Sequence, residues 1–256
     1  MRDFAEVPDP LPMIQVNGLY KSFGRVAALR DVTFSAPDGR ITGLIGPNGA
    51  GKTTALRILY AILRPDRGSA SVDSYDTTTA ALQVQRRIGA LPDSHGLYPR
   101  LTGRENIRYY GRLHDQSGEA LERNIEALIK LLDMQDVADR RAEGFSEGQR
   151  VKVAIARALV HQPQNILLDE LAGGLDVFSR RAMRAFIRRL RDEGRCVLFS
   201  SHIMQEVSML CDNIVVLARG QVVATGTPDE LRQMTHQANL EDALVAMIGS
   251  EEGLER

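Results

Sequence analysis

Only two cysteines, Cys196 and Cys211, occur in 256 residues. They are too few for a disulfide framework and have no metal-site spacing, so a reducing compartment suits them. Long apolar runs are missing as well. The longest, residues 58–63 (ILYAIL) and 243–248 (ALVAMI), hold six residues each, where a membrane-spanning helix needs roughly 20. Neither charge sign dominates. Lys plus Arg number 32 against 33 Asp plus Glu, a net charge of -1, which argues against a broad electrostatic footprint on nucleic acid. The opening MRDFAEVPDPLP is acidic and Pro-rich and lacks the cationic end and apolar stretch of a secretory signal. Residues 1–12 are therefore expected to be a tail, and any membrane role to come through a partner. Internal repeats and low-complexity tracts are absent.

What is present is an ordinary globular composition, 43% apolar and 25% charged, long enough for one large α/β domain or two lobes. Apolar, β-rich segments fall in two blocks. The first runs from about 13 to 72 and includes 40–46 (RITGLIG); the second runs from about 165 to 226 and holds 166–169, 196–201 and 214–218. Short continuous apolar strands alternating with helical patterns predict a sheet buried on both faces. Residues 214–226 (IVVLARGQVVATG) read as a hairpin turning at Arg219-Gly220. Between the blocks the pattern is helical: Leu121, Ile125, Leu128, Ile129 and Leu132 make one stripe. Met183, Phe186, Ile187 and Leu190 make another, on a helix whose other positions are rich in arginine. A solvated face near a partner or lipid headgroups accounts for those arginines better than nucleic acid does. Residues 227–256 carry seven acids against two bases and read as an acidic helical appendage.

Residues 46–53 (GPNGAGKT) match G-x-x-x-x-G-K-[ST] in full, after the apolar RITGLI and before a helical run. That strand–loop–helix context marks a phosphate loop for a nucleoside triphosphate. Gly46, Gly49 and Gly51 let backbone N–H groups converge on phosphate, joined by Pro47, Asn48, Ala50 and the helix start at Thr54. Lys52 should reach the β- and γ-phosphates, and Thr53 should coordinate Mg²⁺. Residues 166–170 (ILLDE) form an apolar strand ending in two carboxylates. Asp169 is placed to hold Mg²⁺ and Glu170 to orient or deprotonate water, so the expected chemistry is phosphoryl transfer to water. His202 follows a third apolar strand; it reads either as a γ-phosphate contact or as a structural hydrogen-bonder.

Together these segments resemble the ATP-binding cassette (ABC) family over most of the chain. The decisive one is 145–149 (FSEGQ), followed by RVKVAIARAL, which looks like the family signature and its helix, 20 residues before Asp169. Read alone it is a capped helix start. The resemblance implies an α/β fold: a P-loop NTPase cassette with a RecA-like core, an antiparallel β subdomain and an inserted α-helical subdomain. It places the cassette at 13–226, the helical insertion at about 86–161, and the appendage beyond 227. It implies that Ser146, Gly148 and Gln149 bind the γ-phosphate held by a second, head-to-tail cassette. It further implies that Asp176, in Gly174-Leu175-Asp176, crosses that interface, and that Phe23 stacks on adenine, although Phe23 also reads as a plain core residue.

Three positions depart from the family pattern. Asp93 stands where a Gln reaches Mg²⁺ and the attacking water, so it could still meet the metal but brings a charge. Glu147 replaces a Gly of the signature, and Leu171-Ala172 replaces Pro-Thr/Ser. Residues 96–111 and 239–243 resemble ATPase subunits of ABC-2 type exporters, nearest the sodium-efflux NatA-like branch. The implied reading is an ATP-hydrolysing subunit that uses ATP and Mg²⁺. It would be cytoplasmic, held peripherally at the membrane by a separate permease, with no nucleic acid. The alternatives are a non-transport ABC ATPase and a low-turnover regulatory subunit.

Overall fold

The computed structural model describes residues 13–92, 96–170, 177–201 and 203–249. The chain begins with β1 (Ile14–Phe23) and β2 (Val26–Ala36), then β3 (Ile41–Ile45) and α1 (Lys52–Leu59). β4 (Arg67–Val72), β5 (Tyr75–Asp76), α2 (Ala81–Arg87) and β6 (Ile88–Leu91) follow. Next come α3 (Gly103–Leu113), α4 (Gly118–Leu131) and α5 (Glu147–Leu159). The second half holds β7 (Asn165–Leu168), α6 (Val177–Asp192), β8 (Cys196–Ser201), α7 (Met204–Leu210), β9 (Asn213–Ala218) and β10 (Gln221–Gly226). α8 (Pro228–Thr235) and α9 (Leu240–Ile248) close the described chain.

Two sheets result. A four-stranded antiparallel sheet has the order β2-β1-β4-β5, and a six-stranded sheet the order β10-β9-β3-β8-β7-β6. In the larger sheet β9, β3, β8, β7 and β6 run parallel, and only β10 is antiparallel. The first β-rich block thus divides. β3 alone enters the large sheet, because all its residues are buried, as a strand covered on both faces requires. Its side chains alternate between two cores: Ile41 and Ile45 pack with α3–α6, Leu44 with α1 and the small sheet. β1 instead buries Ile14, Val16 and Leu19 and leaves intervening positions partly open, the pattern of a one-sided sheet.

β6 also differs from the sequence reading, which put 88–91 with the helical insertion. Ile88–Leu91 pairs in parallel with β7 and ends the large sheet, so the helical layer starts only beyond it. That layer is α3, α4 and the start of α5, with Leu121, Ile125 and Ile129 of α4 buried. Met183, Phe186, Ile187 and Leu190 of α6 face the core. Three of its arginines are satisfied at home: Arg188 donates to Met209 O, Arg189 pairs with Glu193, and Arg191 with Asp192 and Asp212. The hairpin turns as expected, Arg219 and Gly220 both having positive φ (51° and 77°). The acidic appendage is docked, with Leu231, Leu240 and Ala243 buried. Among the described residues, no helix is long and apolar enough to cross a membrane.

Candidate active site

Because β3, β7 and β8 are parallel, the segments that follow them emerge at one edge of the sheet, where ligands bind in open α/β sheets. Residues 46–51 follow β3 and turn into α1. Gly51 is the N-cap of α1 at φ 107°, and no side chain caps that helix, so its first amides are open to an anion. A Cβ on Gly51 would lie 2.6 Å from Ala28 O, and one on Gly46 2.0 Å from Leu217 O. Only glycine fits either place. The loop is backed from far along the chain: Gly220 N donates to Ala50 O (3.1 Å), and Gly220 O accepts from Arg30 N (2.7 Å). The β9–β10 turn thus props the rear of the loop, a contact the sequence reading missed and that no local pattern encodes.

Phe23, Asn48, Gly49, Ala50, Gly51, Lys52, Thr53, Thr54 and Glu170 line one open cavity of about 560 Å³. Phe23 sits at the β1 end, 51% exposed, which removes it from either core; its ring stands beside the loop with the Lys21 ammonium 5.8 Å from its centre. Lys52 is buried, its Nζ donating to Gly46 O (2.8 Å) and Pro47 O (3.1 Å), with Glu170 Oε1 at 4.0 Å. Burial pulls the Lys52 ammonium below its ordinary pKa, and the negative charges of Glu170 and Asp169 pull it back up. Displacing the loop's own carbonyls with phosphate oxygens replaces neutral acceptors with charged ones.

Asp169 follows β7 and is 1% exposed. Its N–H donates to Leu91 O of β6 (2.8 Å), and its Oδ1 accepts from Ser200 Oγ of β8 (2.6 Å). Glu170 has φ 52°, a left-handed conformation uncommon for a side-chain-bearing residue. Thr53 and Asp169 offer hard oxygen ligands, and no cluster of three or more acidic, His or Cys ligands exists among the described residues. That set fits Mg²⁺, which is held by one or two carboxylates plus substrate phosphates and not by an all-protein cage.

The signature segment stands elsewhere. Ser146 is the N-cap of α5, its Oγ accepting from Gln149 N (3.3 Å), while Ser146 N donates to Gln149 Oε1 (3.0 Å). This capping box turns the Gln149 side chain back onto its own helix. Ser146, Gly148 and Gln149 do not line the cavity around Lys52. Asp93, Asp176 and His202 lie outside the described residues, as does Leu171-Ala172.

The chain matches the ABC transporter family over residues 29–173. It is 43% identical to the ABC transporter ATP-binding protein NatA of Bacillus subtilis (strain 168), over 84% of this chain and 88% of that one. It is 35% identical to the Nod factor export ATP-binding protein I of Bradyrhizobium diazoefficiens, over 85% and 71%. A sulfate/thiosulfate import ATP-binding protein CysA, from Synechocystis, is also 35% identical, over 85% and 61%. Among solved structures, a dimeric ATP-binding cassette in a post-hydrolysis state with ADP and Pi superposes with a TM-score of 0.78 at 25% identity, covering 84% of this chain and 98% of that one. The phosphate loop, the strand-end carboxylates and these matches together make the chain a member of the ABC transporter family: the ATP-binding subunit of a transporter, and an ATPase.

Proposed function

We propose that two copies of this chain pack head to tail, close over two ATP molecules, and drive a separate permease of ABC-2 type for export. The observation that carries the reading is a divided site. The cradle around Lys52 is open on one side and contains no signature residue, while Ser146 and Gly148 stand at the exposed start of α5. A two-fold partner brings the second to the first. ATP then favours the closed pair because it touches both subunits only there, and hydrolysis reopens it.

In this scheme Lys52 holds the β- and γ-phosphates, Phe23 takes the adenine face, and Thr53 and Asp169 hold Mg²⁺. When bound, Mg²⁺ supplies neutralisation of the phosphate charge. Glu170 orients water and accepts its proton as the water oxygen bonds to the γ-phosphorus and the bond to the ADP oxygen breaks. Ser146 and Gly148 clamp the γ-phosphate through a hydroxyl and a helix N-terminus; Gln149 supports them by holding Ser146. Asp176 and His202 complete the interface and the γ-phosphate contact. Asp93 would meet the metal and slow hydrolysis or couple it differently, so Asp93→Gln is expected to change transport-coupled turnover.

Permease docking belongs beside Pro92. There Ile62, Leu82 and Leu113 line a groove of about 450 Å³ and are 60–71% exposed, and exposed apolar side chains so grouped mark an interaction site. Export, and Na⁺ as the first cargo to test, rest on the resemblance of residues 96–111 and 239–243 to ABC-2 exporter subunits. Such placement puts the chain on the cytoplasmic face of a membrane. The test is Glu170→Gln with Mg-ATP. It should abolish phosphate release and elute as a dimer, and a monomer at saturating nucleotide would sink the divided-site reading.

A further inference from the structure

We infer that Ser200 is a positioning residue for hydrolysis, a single hydroxyl that sets both strand-end carboxylate residues at once. Ser200 lies on β8 and is fully buried. Its Oγ donates to Asp169 Oδ1 at 2.6 Å and accepts from the backbone N–H of Glu170 at 3.1 Å. A hydroxyl has one hydrogen to give, and here it is committed to Asp169. The short bond to a carboxylate is of the charge-assisted kind, stronger than a neutral one.

The two bonds do different things. The first, with the Asp169 N–H bond to Leu91 O, ties that residue to both neighbouring strands. One carboxylate oxygen is thereby occupied and the other is left for the metal that Asp169 would hold. The second satisfies the peptide at which the chain leaves β7 in a left-handed turn, φ 52° at Glu170. A left-handed non-glycine residue persists only where its surroundings fix it, and Ser200 is the neighbour that bonds its N–H. Sites that need sub-ångström placement depend on such supporting hydrogen bonds. Apolar residues would satisfy burial at 200 equally well, as Val197, Leu198 and Phe199 do on the same strand.

The inference rests on the roles proposed for Asp169 and Glu170, so the experiment separates the two. Ser200→Ala is expected to lower kcat about ten-fold while ATP affinity, measured without divalent metal, stays within two-fold. Mn²⁺ titrated by electron paramagnetic resonance into ATP-loaded protein in the Glu170→Gln background should bind several-fold more weakly when Ser200→Ala is added. Ser200→Thr, which keeps the hydroxyl, should restore most of both. Should Ser200→Ala not fold, Ser200→Cys preserves the volume, weakens both bonds and carries the same expectation. Unchanged kcat and Mn²⁺ affinity in Ser200→Ala, with Glu170→Gln inactive, would overturn the role of Ser200 alone. A parallel loss of ATP affinity and melting temperature would also overturn it, as a structural effect. If Glu170→Gln turns over normally, the failure lies with the underlying reading instead.

Discussion

At the scale of single residues, Lys52 and Gly51 separate binding from folding. The Lys52 ammonium is buried with two loop carbonyls as hydrogen-bond partners and Glu170 Oε1 at 4.0 Å. Lys52→Met removes a costly buried charge, so stability should hold or rise, while the charge-assisted contact to phosphate disappears. Such contacts are worth about 1.5–3 kcal/mol, so titration calorimetry should show ATP binding weakened at least ten-fold. Gly51→Ala acts the other way. A methyl there meets Ala28 O at 2.6 Å and Leu29 Cδ2 at 2.8 Å in a left-handed backbone. Strain of roughly 1–3 kcal/mol should lower the melting temperature before any nucleotide is added.

At the scale of elements, the start of α5 has two jobs that substitution can split. Ser146→Ala loses the cap, about 1 kcal/mol. Ser146→Asp keeps a good cap and places negative charge in the proposed clamp, so its melting temperature should match wild type while ATP-driven dimerisation is lost. Dimerisation retained in Ser146→Asp would mean the segment only caps a helix. A second element-scale effect concerns acid. His114, at the end of α3, stacks on His161, just beyond α5, with ring centroids 3.6 Å apart. His161 Nε2 bonds Ile88 O at 3.0 Å, its Nδ1 is buried without a partner, and burial holds its pKa down at about 4. Arg157 lines the same groove, and His114 feels the ion-paired charges of Asp115 and Arg86. A depressed histidine stabilises the fold fully above its unfolded pKa of about 6.5; that stability is lost as pH falls toward 4. Thermal unfolding at pH 7 and pH 5 should show a loss of order 1–3 kcal/mol, smaller in His161→Gln.

Much of this was legible because local chemistry was enough. The phosphate loop is a contiguous string of residues in its strand–helix context, the α4 and α6 stripes follow from helical period, and Arg219-Gly220 supplies the two positive φ values of a tight hairpin. What escaped needed neighbours distant in sequence. Ser200 is one of two serines ending an apolar strand until β8 is laid beside β7. β6 is too short, and too close to the Arg-rich end of α2, to declare its sheet. Residues 146–149 read as a capped helix start, but that Gln149 closes a reciprocal box with Ser146 depends on where the helix begins.

At the scale of the whole molecule, the appendage is part of the packed body. Burying Leu231 and Leu240 contributes about 1.5–3 kcal/mol each, so ending the chain after residue 226 should lower the melting temperature on the order of 10 °C. Every cradle residue precedes that point, so ATP binding by the folded fraction should persist. An equal loss of affinity would show the appendage to be coupled to the site.

The turn at Gly220 carries a consequence for how the chain can be divided. The loop proposed to grip phosphate leans on Leu217 and Gly220, and β3 is hydrogen-bonded between β8 and β9. A break anywhere between 60 and 195 therefore parts the nucleotide grip from its buttress. Neither fragment would hold ATP, yet the two produced together should reassemble and recover it.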